Sequence, residues 1–276
     1  MVISSVFMFS FFKRKPVLTG EDLLFQLETY KWLMKYFGGE DFFHNTQLVL
    51  PTDQFFPLRV GSSDEAVIAT FAQVQVHAGM AKWPSKLIRQ EHDADPHLGQ
   101  TLLVKGSPST ANGTFSLREG KAYISFNPKL ENNPARMVAT FAHEFGHYLT
   151  CDLPEPPPGG WENWEFATDL TAVFLGFGIF SANTAFSFQQ YTNTSTQGWR
   201  SQRSGYLSSI ELLFALAIFC RLKGISPDIA KPYIKPTLRK VFRQCCRQVD
   251  GCDKLINEIR SASYVGAKDY KPARFE

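Results

Sequence analysis

Apolar positions recur at helical spacing over long stretches of this chain and at strand spacing over short ones. Leu23, Leu24, Leu27, Tyr30, Leu33, Met34 and Phe37 keep the three-and-four interval of an amphipathic helix. Thr19 followed by Asp22 starts it and Gly38-Gly39 ends it. Ser63 opens a second helix expected to run to about Gly79. Residues 48–50 read as a short strand stopped by Pro51, Trp83-Pro84 as a break, and residues 101–104 as another strand. Two β-prone runs, 114–118 and 122–126, flank the turn signal Glu119-Gly120 and predict a hairpin.

Asn133-Pro134 then places a capping side chain before a proline at the first helical position, predicting a helix from Pro134 to about Thr150. A Pro- and Gly-rich loop follows, and a further helix is expected from about Trp161 to Phe180. The polar stretch 181–205 reads as a long loop. Ser208-x-x-Glu211 is a capping box that opens a helix ending at Gly224, and Ser226-Pro227 opens more helix, interrupted by Pro232 and Pro236, before a last helix through Val249. This order predicts an α+β fold, helix-dominated, with a small antiparallel sheet beside the helix that begins at Pro134. One domain over 1–276 is expected, with residues 1–18 as a tail and 114–180 as its core.

Composition narrows the function. A formal net charge of +3, with Lys and Arg dispersed, gives no basic footprint, so nucleic acid is not an expected partner. The five cysteines are odd in number and show no framework spacing, which suits a reducing compartment, and the cytoplasm is the expected location. Residues 2–12 are apolar but lack preceding positive charge and a cleavage signal, and Met8 would serve equally as a start. No later segment reads as a membrane span, with residues 210–220 the most apolar, so membrane contact is not expected, although residues 1–12 keep a protein acting near the bilayer as a third reading.

The chemistry concentrates in His143-Glu144-Phe145-Gly146-His147. Histidines four apart share one helix face and can reach a single ion, while Glu144 is angled past them toward a water on that ion. Zinc lowers the pKa of such a water toward about 7, and Glu144 would accept its proton and return it to the leaving amine. A catalytic zinc needs a third protein ligand. Seventeen residues separate His147 from Glu165, with Asp169 four further on, so both carboxylates share a face of the next helix in an otherwise apolar segment. Glu165 is the preferred ligand; Glu162, Glu155 and Asp169 itself stay open as alternatives. Asp169 otherwise stands where it can fix the tautomer of a ligand imidazole. No His follows His147, which excludes a three-histidine site.

Taken as a pair, H-E-x-x-H and the later E-x-x-x-D resemble the gluzincin clan of zinc peptidases, over roughly residues 122–180. The resemblance implies a zincin-like core, Zn2+ held by His143, His147 and Glu165, Glu144 as general base, Asp169 supporting the first histidine, and a peptide or protein substrate. It also implies that residues 122–126 form an edge strand that binds the substrate backbone. Thermolysin-type members use a downstream His for the oxyanion; this chain has none, and Tyr206, Arg200, Arg203 and Tyr191 are the alternative donors. An inactive zinc-binding regulatory or peptide-binding protein on the same scaffold is the competing reading. The Cys245, Cys246 and Cys252 cluster reads as incidental thiols, Cys151 as an onlooker near the motif, and His92 with His97 as a weak second metal pair. Oligomeric state and cleavage specificity are left open.

Overall fold

In a computed structural model, residues 15–57, 62–90, 112–189 and 206–265 are described. The fold is α+β and helix-dominated, with one small three-stranded sheet. Helices α1 (Gly20–Phe37), α2 (Gly39–Asn45) and α3 (Ser63–His77) come first. Strands β1 (Ser85–Arg89), β2 (Gly113–Arg118) and β3 (Lys121–Phe126) follow, then helix α4 (Pro134–Thr150). A helical run, kinked at Gly176, comprises a 3-10 turn at Trp161–Asn163, α5 (Trp164–Ala172), a π segment at Val173–Phe177 and α6 (Gly178–Gln189). The fold ends with α7 (Ser209–Lys223), α8 (Pro227–Ala230), α9 (Arg239–Asp250) and α10 (Asp253–Arg260).

Local signals account for most boundaries. The Asn133 side chain accepts from Arg136 N at 3.1 Å, and Pro134 fills the first position of α4. Ser208 and Glu211 form the reciprocal capping box of α7, and Gly224 closes that helix in the left-handed region at φ 65°. Helix α3 is capped by Ser62 rather than Ser63, again with a reciprocal bond to Glu65. The hairpin forms as expected, with Glu119-Gly120 as its turn.

Several expectations are corrected. The sheet is mixed rather than purely antiparallel: β1, a strand not expected from the sequence, pairs parallel with β3, so the order is β1-β3-β2. Strand β3, residues 121–126, is therefore central and cannot be the substrate-binding edge; β2 holds the outer position beside α4. Residues 48–50 form no regular strand, although Val49 N donates to Gly176 O at 3.0 Å. The helix expected to stop at Phe180 runs on to Gln189. Within it, Trp161–Ala185 is long and apolar enough to cross a membrane by length and composition, contrary to the sequence reading; 78% of its most apolar window is buried inside the protein, as in any core helix. Part of the expected tail is docked, because Val17 N and Leu18 N donate to Gln248 Oε1 and Leu18 is buried. The expected strand at 101–104, His92, His97, and residues 1–12 lie outside the described residues.

Two apolar clusters share the interior. One lies under the sheet, between α3 and α4 and around Phe71, Ile124, Phe126, Phe141 and Phe145. The other joins α1, α5, α7, α9 and α10 around Tyr30, Leu33, Leu170, Phe214, Phe219 and Phe242. Helix α4 is buried on all sides from Met137 to Thr150, and it meets α5 where the clusters adjoin. Gly146 makes that crossing close: a Cβ there would stand 3.1 Å from both Thr168 O and Thr168 Cγ2.

The five cysteines form no disulfide. Burial pushes the thiols of Cys220, Cys245 and Cys246 up to about 12. These thiols stay protonated at pH 8, and the thiolate is the reactive form. Labelling with a thiol-reactive disulfide reagent at pH 8 is expected to count fewer than five thiols in the folded protein and all five after denaturation. Rapid reaction of all five in the native state would contradict the buried placement.

Candidate metal centre

Helix α4 brings His143 and His147 to one face, with ring centroids 4.7 Å apart and planes near perpendicular. Helix α5, held close by Gly146, brings Glu165 opposite them. Glu165 Oε2 lies 3.3 Å from His143 Nε2 and 3.5 Å from His147 Nε2. One ligand atom from each of the three residues falls within 4.8 Å of the others, and no other such group of His, Cys, Asp or Glu occurs among the described residues. Both histidines are buried, and Glu165 is half-buried.

The outer ring nitrogens are engaged, which turns the inner ones to the shared point. His143 Nδ1 is 2.9 Å from Asp169 Oδ1. His147 Nδ1 is 3.1 Å from Thr168 Oγ1, whose own hydrogen goes to Trp164 O at 2.8 Å. That hydroxyl has one proton to give, so at His147 it accepts, and His147 carries its hydrogen on Nδ1. Nε2 of His147 is then the ring atom that faces Glu165.

Does this donor set fit a metal? Two ligands about 2.0–2.1 Å from a tetrahedral zinc stand about 3.3 Å apart, and the two Nε2–Oε2 separations are 3.3 and 3.5 Å. Glu165 Oε1 is buried and finds no hydrogen-bond partner among the described residues, a costly state for a carboxylate oxygen unless a cation faces it. In the protein alone, burial opposes protonation of His143, but Asp169 and Glu165 outweigh it and raise its pKa well above the usual histidine value. Burial likewise opposes ionisation of Glu165, but the two imidazoles prevail and hold its carboxyl far below the usual carboxylate range. A cation at the shared point would take the place of a proton there.

The alternatives for the third ligand separate cleanly. Glu155 is exposed and paired with Lys35 at 2.6 Å. Glu162 is exposed, and its carboxylate lies beside Gly160. Asp169 spends one oxygen on His143 Nδ1 and the other on Leu207 N, at 2.7 Å.

Comparison of the sequence and structure with protein-family models, with curated proteins and with solved structures finds no match. The arrangement of His143, His147 and Glu165 is compatible with a zinc site on its geometry.

Glu144 sits on α4 beside the histidines and is buried. Burial raises its pKa above the ordinary carboxylate value, the two imidazoles pulling the other way and Glu165 adding to the rise. Strand β2 passes close to its carboxylate: a Cβ on Gly113 would stand 2.8 Å from Glu144 Oε1. Phe115, two residues along β2, stacks on the His147 ring at 6.1 Å, and Trp164 meets the same ring edge-on at 4.6 Å. Half-buried Tyr206 places its ring 5.5 Å from that of His143. Burial, followed by the charges of Glu165, Glu144 and Asp169, pushes its phenol far above the usual tyrosine value, so it stays protonated and able to donate. Arg200, Arg203 and Tyr191 lie outside the described residues. Cys151 directs its Sγ back to Tyr148 O at 3.5 Å.

Sequence reasoning missed Thr168, Phe115, Trp164 and the Leu207 amide. Thr168 had a legible signal, since it follows Glu165 by three residues on the same helix. The others are joined to the site only by the fold.

Proposed function

We propose that the protein is a zinc-dependent peptidase of the gluzincin type. The observation that carries this reading is the convergence of two imidazole Nε2 atoms on one Glu165 oxygen, with a buried carboxylate of raised pKa, Glu144, alongside. His143, His147 and Glu165 would hold the ion. When bound, zinc supplies Lewis acidity, lowering the pKa of water toward about 7 and polarising the scissile carbonyl. Glu144 takes the proton from the attacking water and later hands it to the departing amine. Asp169 and Thr168 keep both imidazoles in the tautomer that presents Nε2. Tyr206 donates to the oxygen on which negative charge develops. The outer edge of β2, passing Glu144 at Gly113 and His147 at Phe115, offers main-chain groups to an extended peptide. The absence of disulfides supports a reducing, cytoplasmic setting.

Metal binding and hydrolysis test this together. Purified protein is expected to hold one zinc per molecule and to cleave members of a broad peptide library. Zinc in excess of its dissociation constant by about a thousandfold should stabilise the fold by about 4 kcal/mol, read as a rise in melting temperature that a chelator reverses. Glu165→Gln should abolish that rise. A wild-type protein that takes up no zinc and cleaves nothing would end this reading; one that binds zinc without cleaving would favour a regulatory or peptide-binding role.

A further inference from the structure

The geometry points to a second role for Asp169: through Oδ2 it fixes the backbone at Leu207 and so positions the Tyr206 ring over the His143 side of the centre. The kinetic part of this inference rests on the peptidase reading above.

A carboxylate that only oriented a ligand histidine would need one oxygen. Asp169 uses both, Oδ1 for His143 Nδ1 at 2.9 Å and Oδ2 for the main-chain N–H of Leu207 at 2.7 Å. The partners come from distant parts of the sequence, 26 and 38 residues from Asp169. Leu207 is buried in the helical core at 3% exposure, so its N–H lies before the first turn of α7 and needs an acceptor that the helix itself does not supply. Ser208, the next residue, is locked by its capping box with Glu211, whose carbonyl in turn accepts from Gln26 Nε2 of α1 at 2.9 Å. The backbone that follows Leu207 is therefore held by helix packing, and the Asp169 contact ties it on the metal side. Tyr206 is one Cα step from that tie, about 3.8 Å, and its ring stands 5.5 Å from the ring of His143. The same carboxylate thus sets both the tautomer of the ligand and the place of the donor group, making Asp169 a positioning residue for Tyr206.

Asn cannot replace it. The two donors meet different carboxylate oxygens, and an amide puts its single oxygen at one of those positions and its NH2 at the other, facing the remaining donor. The expected signature is therefore non-additivity. Peptide hydrolysis is measured on zinc-loaded wild type, Tyr206→Phe, Asp169→Asn and the double variant. Tyr206→Phe is expected to lower kcat on the order of 10²-fold with KM little changed, and to cost under threefold when introduced into Asp169→Asn. An equal fold-loss in both backgrounds would overturn the proposal, as would a Tyr206→Phe variant with full wild-type kcat.

A second readout needs no activity. Fluorine NMR of protein carrying 3-fluorotyrosine, with the Tyr206 resonance assigned by its loss in Tyr206→Phe, should show that resonance displaced in Asp169→Asn and unmoved in Thr168→Val, which disturbs His147 instead. An unmoved resonance in Asp169→Asn would overturn the positioning role whether or not the protein is a peptidase. Should Asp169→Asn fail to fold, hydrogen exchange of the wild type decides: the Leu207 amide must exchange as slowly as the core of α7, and exchange within seconds would defeat the anchor. A wild type that cleaves no peptide, yet shows the displaced resonance, would remove the peptidase reading and leave the anchor standing.

Discussion

Replacing Glu144 by Gln is expected to lower kcat for peptide hydrolysis by about 10²–10⁴-fold while leaving zinc content unchanged. Glu144 shares α4 with the two histidines but is not one of the three converging donors, so its loss removes the base and not the ion. The substitution keeps the shape of a fully buried side chain, and it replaces a carboxylate whose charged form burial disfavours. The fold should therefore survive with its stability unchanged or slightly raised. Rates are best read on a peptide that the wild type cleaves, at saturating zinc, with metal measured on the same samples. His143→Ala is the contrast, expected to lose both metal and activity. Equal rates for wild type and Glu144→Gln, at equal zinc content, would show that the cleavage seen is not the work of this centre.

Gly176→Ala should cost about 3–5 kcal/mol of stability, far above an ordinary surface substitution. Gly176 lies in the π segment of the helical run with φ 101°, in the backbone region that L side chains rarely adopt. A Cβ there would fall inside van der Waals contact of Gln47 O and within 3.4 Å of Val49 Cγ2, and the Gly176 carbonyl accepts from Val49 N at 3.0 Å. Both sides of that contact would have to part. Gly79 supplies the control: its φ is 74°, but nothing stands within 4 Å of a Cβ built on it. Gly79→Ala should cost only the left-handed conformation, about 1–2 kcal/mol. Denaturant midpoints at matched slopes give both numbers. Equal losses at the two glycines would mean that the approach of residues 47–49 to the π segment contributes nothing.

The difference between Gly176 and Gly79 shows where reading a sequence stops. Both are glycines in apolar surroundings, and nothing local separates a turn that opens to solvent from one pressed against another segment more than a hundred residues away. Carboxylates behave in the same way. Glu155, Glu162 and Glu165 all stand at acceptable distances from His147 along the sequence, and only the crossing of α4 and α5 brings one of them to the imidazoles while leaving the others exposed.

What the sequence determines by itself is whatever is settled within a turn or two of backbone. Asn133-Pro134 starts the motif helix, Ser208 with Glu211 starts α7, Glu119-Gly120 folds the hairpin, and the four-residue spacing of His143 and His147 puts both rings on one side. Each follows from hydrogen bonds and dihedral preferences of neighbours, so the pattern alone specifies it. Tertiary structure alone decided that β1 joins in parallel and makes β3 central, that β2 is the outer strand beside Glu144, and that Asp169 reaches Leu207. Those contacts close long loops of backbone, and they form only because burying the two apolar clusters brings α4, α5 and the start of α7 together.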